Sequence, residues 1–166
     1  AVDKKYVEDA VNALLANTTG SYNTAIGKSA LAANTSAEEN TAVGYQALEE
    51  NTTGTQNVAV GSQALDACTT GTRNVAVGTT ALSTSTNSSY NTAVGYGALF
   101  ANTGTQNAAL GYAALLNSTA SNNVAVGHNA LTNSTTGIQN VAVGSRALDA
   151  STTASNNVAI GFDSLG

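Results

Sequence analysis

Small aliphatic residues return at fixed distances along most of this chain, and polar residues fill the intervals between them. The stretch NTAVGYQALEENTTGTQ, from Asn40 to Gln56, is followed by NVAVGSQALDACTTGTR, which has nearly the same pattern. The unit reads Asn-x-Ala-(Val/Ile/Leu)-Gly-x-x-(Ala/Ser)-Leu and continues into a polar segment. We number the positions of the unit as slots, so that Asn is slot 1, Ala slot 3, Gly slot 5 and Leu slot 9.

Nine of these units follow one another at intervals of 16 or 17 residues, and they cover the chain from Asn23 onward. Such self-similarity predicts a repeat architecture. Slot 1 is occupied by Asn23, Asn40, Asn57, Asn74, Asn91, Asn107, Asn123, Asn140 and Asn157. Slot 5 is occupied by Gly27, Gly44, Gly61, Gly78, Gly95, Gly111, Gly127, Gly144 and Gly161. Slot 9 is occupied by Leu31, Leu48, Leu65, Leu82, Leu99, Leu115, Leu131, Leu148 and Leu165.

The length of the unit indicates the fold class. Helical repeats run at roughly 33–47 residues, whereas 16–17 residues suit one coil of a β-solenoid. Val and Ile in slots 2 and 4 favour strands, and the Gly and polar segment that follow favour turns. We therefore predict an all-β domain over residues 21–166: a parallel β-roll, or β-solenoid, of about nine coils, each with two short strands and two turns.

Stacked coils place equivalent residues above one another at about 4.8 Å. The slot 1 Asn side chains are therefore expected to form a ladder of hydrogen-bonded amides, as Asn does in cross-β stacks. We interpret the nine Asn and the nine slot 5 Gly as structural framework rather than as ligand contacts.

The strand of each unit has two small or apolar faces. Successive side chains of a strand point to opposite sides, so Ala59 faces away from Val58 and Val60. One thin coil cannot bury both faces, and the pattern therefore indicates self-association. We expect the Ala row to lie near a symmetry axis, where small side chains let backbones approach closely.

The first 20 residues differ from the repeats. Val7, Val11 and Leu14 fall on one face of a helix, which Asp3 can cap, and charged residues cover the other face. We predict a short N-terminal helix within residues 1–20, which forms a coiled coil in an oligomer. The alternative is a helix that folds back as a lid on the end of the solenoid.

Composition excludes several classes of function. The net charge is −5, and the five Lys and Arg residues form no patch, which argues against nucleic-acid binding. No apolar run approaches the roughly 20 residues of a membrane-spanning helix. The single Cys, Cys68, is interpreted as a chance small residue in a turn. The chain begins at Ala1 rather than Met, from which we expect a fragment or a processed product.

The units NTAVGYQAL and NVAVGSQAL resemble the head repeats of trimeric autotransporter adhesins of the Yersinia-adhesin type. This resemblance implies a left-handed parallel β-roll, a homotrimer, and attachment to host surfaces. Similar repeats occur in fibres of phage tails and related injection machines, and the opening KKYVEDAV is similar to a short helix that precedes fibre modules. The resemblance carries no catalytic residues.

Catalytic and metal-binding chemistry is hard to assemble from this sequence. His128 is the single His and lies about four coils from Cys68, too far for a Cys-His pair within one chain. A zinc site needs several clustered ligands. The pairs Glu38–Glu39 and Glu49–Glu50 could hold a cation but are interpreted as a solvated acidic patch. We predict neither an enzyme nor a cofactor.

Function is expected in the slots that vary, and slot 6 is the best candidate. Its aromatic side chains would form one row along the roll, and sugars dock on aromatic faces. The predicted receptor-binding residues are Tyr45, Tyr96, Tyr112, His128 and Phe162. Alternatively, these aromatic rings shield a strand edge or a subunit seam. Tyr22 and Tyr90, just before slot 1, form a second pair.

These observations predict a structural and adhesive module of a trimeric fibre. Its partners would be two further copies of itself, a host receptor of carbohydrate type, and adjoining fibre or tail proteins. The expected location is a virion tail fibre or the surface of another extracellular particle, with the bacterial outer surface as the alternative for an autotransporter head. The competing hypotheses are an ice-binding solenoid, because Thr is abundant, and a solenoid enzyme.

Overall fold

A computed structural model describes residues 13–166, which form a parallel β-solenoid. Nine strands of three residues pair in sequence order as a single parallel sheet. They are β1 (Thr24–Ile26), β2 (Thr41–Val43), β3 (Val58–Val60), β4 (Val75–Val77), β5 (Thr92–Val94), β6 (Ala108–Leu110), β7 (Val124–Val126), β8 (Val141–Val143) and β9 (Val158–Ile160). The predicted all-β parallel roll is confirmed, with eight complete coils from residue 23 to residue 156, which we number 1 to 8, each from its slot 1 Asn. Between residues 13 and 166 there is no helix, and so none that could cross a bilayer.

The strands pair with every slot in register. Ala42 aligns with Ala59, for example, and Val43 aligns with Val60. The two shorter coils, coil 5 (residues 91–106) and coil 6 (residues 107–122), lack slot 14 and absorb the missing residue in a turn. Pairing across them keeps the same register, with Ala93 opposite Ala109.

Each coil contains one strand, and the prediction of two strands per coil was wrong. Turns built from left-handed residues replace the second strand, because slots 7, 9 and 17 all have positive φ. In coil 2 these residues are Gln46 (φ 56°), Leu48 (φ 51°) and Gln56 (φ 61°). Such conformations are unfavourable for non-Gly residues. Backbone hydrogen bonds between coils hold them, as where the Leu48 N–H donates to the Ala64 carbonyl at 3.0 Å.

The interior of the solenoid is a column of small and aliphatic side chains. Ala at slots 3 and 8 and Leu at slot 9 are buried in the complete coils, except for the partly buried Ala25 in the first of them, and Ala59, Ala64 and Leu65 have no exposed surface. The expectation that the Ala row lies at a subunit axis is therefore wrong. These Ala side chains fill the interior of their own chain, since a coil this thin has no room for a larger residue beside Leu. Slots 2 and 4 face outward instead.

Close approach between coils explains why slot 5 is always Gly. Gly61 has φ +138°, a conformation that L side chains rarely adopt. A Cβ on Gly61 would lie 2.6 Å from the carbonyl carbon of Gly78 in the next coil. Any side chain here would push the coils apart.

The solenoid begins before residue 21. Of the segment predicted as a helix, residues 1–12 lie outside the described residues, and residues 13–20 belong to the end of a preceding coil. Ala13 and Leu14 occupy slots 8 and 9 and pack against the core. The Leu14 N–H donates to the Ala30 carbonyl at 3.0 Å, as slot 9 does in later coils. Leu14 therefore contributes to the roll and not to a helical stripe.

Candidate binding surface

The slot 1 Asn side chains form a continuous internal ladder. Each Oδ1 accepts a hydrogen bond from the backbone N–H of the next slot 1 Asn, at 2.9–3.0 Å in all eight steps. Each Nδ2 from Asn23 to Asn140 donates to the slot 15 carbonyl of its own coil, at 2.7–3.0 Å. These amides use their hydrogen-bonding capacity inside the protein, so ligand contacts must come from other columns.

Slot 6 side chains lie on the outside of the roll, directly after the Gly that ends each strand. The Tyr96 and Tyr112 rings are stacked, with centroids 5.4 Å apart and planes inclined by 9°. The Tyr112 ring stacks in turn on the His128 imidazole, at 5.2 Å and 12°. The two Tyr side chains are 55% and 51% exposed. The coils thus assemble three rings into one exposed stack, since the register places them directly above one another.

Two of the predicted binding residues stand apart from this stack. Tyr45 and Phe162 occupy the same column and are exposed. Ser62 and Thr79 separate Tyr45 from Tyr96, and Ser145 separates Phe162 from His128. The structure therefore brings together three of the five residues.

Tyr22 and Tyr90 belong to a different column, slot 17. The Arg73 guanidinium lies 5.3 Å from the centroid of the Tyr90 ring and donates to its hydroxyl. Arg73 Nε also donates to Gln56 Oε1 at 2.8 Å, and Gln56 Nε2 donates to Glu39 Oε2 at 2.8 Å. Tyr90 is thus the last member of a series of side-chain hydrogen bonds that connects four coils, and this gives Tyr90 a structural role.

A groove beside the aromatic stack was missed by the sequence analysis. It has a volume of about 330 Å³ and lies over Gly97, with Tyr96 on one side and Phe100 and Leu116 on the other. Phe100 and Leu116 occupy slot 10, where the other complete coils have Ala, Glu, Asp, Ser or Thr. The large apolar residues at slot 10 of two successive coils could be seen in the sequence. The positive φ of slot 7, which determines where the groove lies, could not.

Groups capable of acid–base or metal chemistry are dispersed. Burial raises the pKa of the Cys68 thiol to about 11, and a weak bond to the Gly71 backbone offsets part of this increase. Glu49 accepts a hydrogen bond from Gln46 at 2.6 Å on a column away from Glu39. Among residues 13–166 no three His, Cys, Asp or Glu side chains lie close enough together to hold a metal ion.

Thr occupies slot 13 in every complete coil, a regularity that the sequence analysis did not register. In six of the eight complete coils its hydroxyl donates to the carbonyl of the slot 13 Thr one coil further on. The Thr52 Oγ1 to Thr69 O distance is 3.1 Å, and the Thr119 Oγ1 to Thr135 O distance is 2.7 Å. These hydroxyls link turn to turn, and their protons are not free to order surface water. The column gives no support to ice binding.

Comparisons of the chain with protein-family models, with curated proteins and with solved structures find no match.

Proposed function

We propose that this chain is a rod-like module of a homotrimeric fibre and that it attaches to host-surface glycans through the Tyr96–Tyr112–His128 stack. The fibre belongs to a virion tail or to another extracellular particle, and an autotransporter head on the bacterial outer surface is the alternative. Adjoining fibre or tail proteins continue the rod. The observation that carries the adhesive role is the exposed stack, placed on the column that varies between coils.

The repeated backbone bonding supports a rod. Nine strands at about 4.8 Å span roughly 40 Å along the axis. Every coil bonds to its neighbours through the strand, the turns and the Asn ladder, and such stacking resists bending. A stiff element of this kind can hold a binding surface at a distance from a particle.

The outward face of the strands supports self-association. Slot 4 is Val, Ile or Leu in all nine strands, and it points to solvent in the single chain. Leu110 is 50% exposed, and Val60 and Val77 are each 36% exposed. The Ala interior cannot accept these side chains, so the face requires a partner. The resemblance to adhesin head repeats favours two further copies of the same chain.

Light scattering tests the assembly. A homotrimer has three times the 16.4 kDa of one chain. A monomer mass at micromolar concentration would end the proposal of self-association through the strand face.

Adsorption of the protein to host cells tests the adhesive role. The double variant Tyr96→Ala with Tyr112→Ala removes two of the three stacked rings and is expected to lower adsorption while unfolding stays as in the wild type. Its matched control is Ser62→Ala with Thr79→Ala, two changes on the same column outside the stack. Equal adsorption of both double variants and the wild type would refute binding through the stack.

A further inference from the structure

Three features occur together in the two shortened coils, coils 5 and 6. Slot 6 carries Tyr in both. Slot 7 carries its two smallest residues, Gly97 and Ala113, where other coils place Ser, Gln, Thr, Asn, Arg or Asp. Slot 10 carries the two largest apolar residues that it has in the complete coils, Phe100 and Leu116. Small residues between two large columns create the groove, which is therefore a local feature of these coils and not of the repeat.

The groove has apolar walls and a polar rim. The Tyr96 ring forms one wall, and Phe100 with Leu116 forms the other. Gly97 leaves the floor open: a Cβ there would lie 3.4 Å from Leu116 Cδ1. Thr80, whose hydroxyl donates to the Thr79 carbonyl at 2.8 Å, and Asn117 complete the lining. A ligand here meets apolar surface on two sides and hydrogen-bonding groups at the rim.

The surroundings of the groove are free of fixed charge. Slots 6, 7, 10 and 11 of coils 4–7 contain no Asp, Glu, Lys or Arg. Charged side chains occur on the same columns on either side of this region, with Glu49, Glu50 and Asp66 before it and Arg146, Asp149 and Asp163 after it. A neutral ligand fits this region, because an anionic one would find no cation to pair with its charge.

The backbone of the groove floor has no free donor for a peptide main chain. The Gly97 N–H donates to the Thr79 carbonyl at 3.1 Å, and the Ala113 N–H donates to the Tyr96 carbonyl at 2.9 Å. Recognition must therefore use side chains. The volume of about 330 Å³ is at the small end of ligand sites and suits one sugar residue.

We propose that the groove is a subsite for a neutral N-acetylhexosamine residue of a surface glycan. The proposal rests on the adhesive function proposed above and specifies its ligand class. The acetamido methyl group lies between Tyr96 and the Phe100–Leu116 wall, over Gly97. The pyranose ring contacts the exposed Tyr surface, and the acetamido and hydroxyl groups bond to Asn117 and Thr80.

The variant Gly97→Gln tests the groove without disturbing the roll. Gln already occupies slot 7 at Gln46 and Gln63 with φ +56°, close to the +62° of Gly97. A Gln side chain at residue 97 fills the groove in a conformation that the fold uses elsewhere. Phe100→Ser introduces the residue that slot 10 carries at Ser83, and it removes one wall independently. The control is Ser29→Gln, the corresponding slot 7 change in coil 1.

The measurement is ligand-observed NMR titration with matched trisaccharides: N-acetylglucosamine and N-acetylgalactosamine oligomers against their glucose and galactose counterparts. The wild type and Ser29→Gln should bind at least one acetamido probe about tenfold more tightly than its hydroxyl counterpart. Gly97→Gln and Phe100→Ser should lose that preference.

Other outcomes overturn the subsite. If Gly97→Gln keeps the preference, or if the wild type shows none, the groove is not an acetamido site. The adhesive function would then be judged separately, by the adsorption of the Tyr96→Ala, Tyr112→Ala variant to cells. If Gly97→Gln instead lowers the oligomer mass, the groove is part of a subunit seam, and the proposal is wrong.

Discussion

Two buried polar columns run through the solenoid, and they differ in how strictly they repeat. Slot 1 is Asn in all nine units. Slot 12, on the turn, changes along the chain and reads Asn17, Asn34, Asn51, Cys68, Ser85, Asn102, Ser118, Ser134 and Ser151. Both columns lie inside the roll over most of their length. Burial alone therefore does not determine which polar residue must be kept.

The difference follows from the backbone groups that each column serves. A slot 1 Asn accepts from the N–H of the next slot 1 residue, and the described contacts give that N–H no second acceptor. A slot 12 Asn donates to the slot 15 carbonyl of its own turn, as Asn51 does to Gly54 at 3.0 Å. The same carbonyl also accepts a hydrogen bond from slot 1, since Asn40 Nδ2 donates to it at 2.8 Å. Slot 12 can vary because the slot 1 Asn already donates a hydrogen bond to the slot 15 carbonyl.

Among single substitutions in the two columns, the removal of one slot 1 amide should have the largest effect. Asn74→Ala leaves the Asn91 N–H and the Ser88 carbonyl without their partners at 3.0 and 2.9 Å, both buried. We expect a loss of about 3 kcal/mol in the free energy of unfolding. Guanidinium unfolding at matched protein concentration measures it. Asn117→Ala, an exposed Asn on the turn, is the control and should stay within about 0.5 kcal/mol of wild type.

The two columns also show what the sequence could predict. The period, the parallel register and the internal role of slots 1 and 5 follow from residues such as Asn57 and Gly61, whose positions leave few physical alternatives. Whether the Ala row points into the coil or out of it could not be predicted from the sequence. A strand with two apolar faces, such as Val58–Val60, does not indicate which face is inside, and the answer depends on how thin the coil is.

The turns were the other part that sequence could not supply. Left-handed φ at Leu48 or Gln46 is unfavourable for an isolated residue, and only the hydrogen bonds between coils hold it there. The groove over Gly97 depends on those turns, because they place slot 7 between slots 6 and 10. The stack of Tyr96, Tyr112 and His128 needed only the register, and it could be anticipated.

Cys68, the most divergent member of slot 12, should make stability depend on alkaline pH. Its pKa rises from an ordinary 9.0 to about 11 because the thiol is buried. The folded state therefore holds a proton that the unfolded state releases. The free energy of unfolding is therefore unaffected by the thiol below pH 9, and it falls by about 2 kcal/mol as the pH rises towards 11. Unfolding curves of wild type and Cys68→Asn between pH 8 and 11 isolate the thiol, since Tyr and Lys titrate in both. Parallel pH profiles would contradict this prediction.

Restoring Asn at residue 68 should stabilise the roll. Asn34 Nδ2 donates to Asn17 Oδ1 at 2.7 Å, and Asn51 Nδ2 lies 3.3 Å from Asn34 Oδ1, but this series stops at Cys68. Asn51 Oδ1 is consequently buried without a partner. In Cys68→Asn the new amide donates to it and to the Gly71 carbonyl, which adds about 1 kcal/mol at neutral pH. An unchanged or lower guanidinium midpoint would mean that the column cannot accept another amide.

The smallest change is expected where slot 12 is Ser. The Ser134 hydroxyl is buried without a partner, while the Gly137 carbonyl in the same turn already accepts from Asn123 Nδ2 at 2.8 Å. Ser134→Ala removes a polar group that is desolvated and unpaired, so the free energy of unfolding should stay within about 0.5 kcal/mol of wild type or increase. The same guanidinium unfolding measurement applies. A loss comparable to that of Asn74→Ala would show that the hydroxyl has a partner, such as a bound water. The contrast between the two columns would then rest on hydration and not on redundancy.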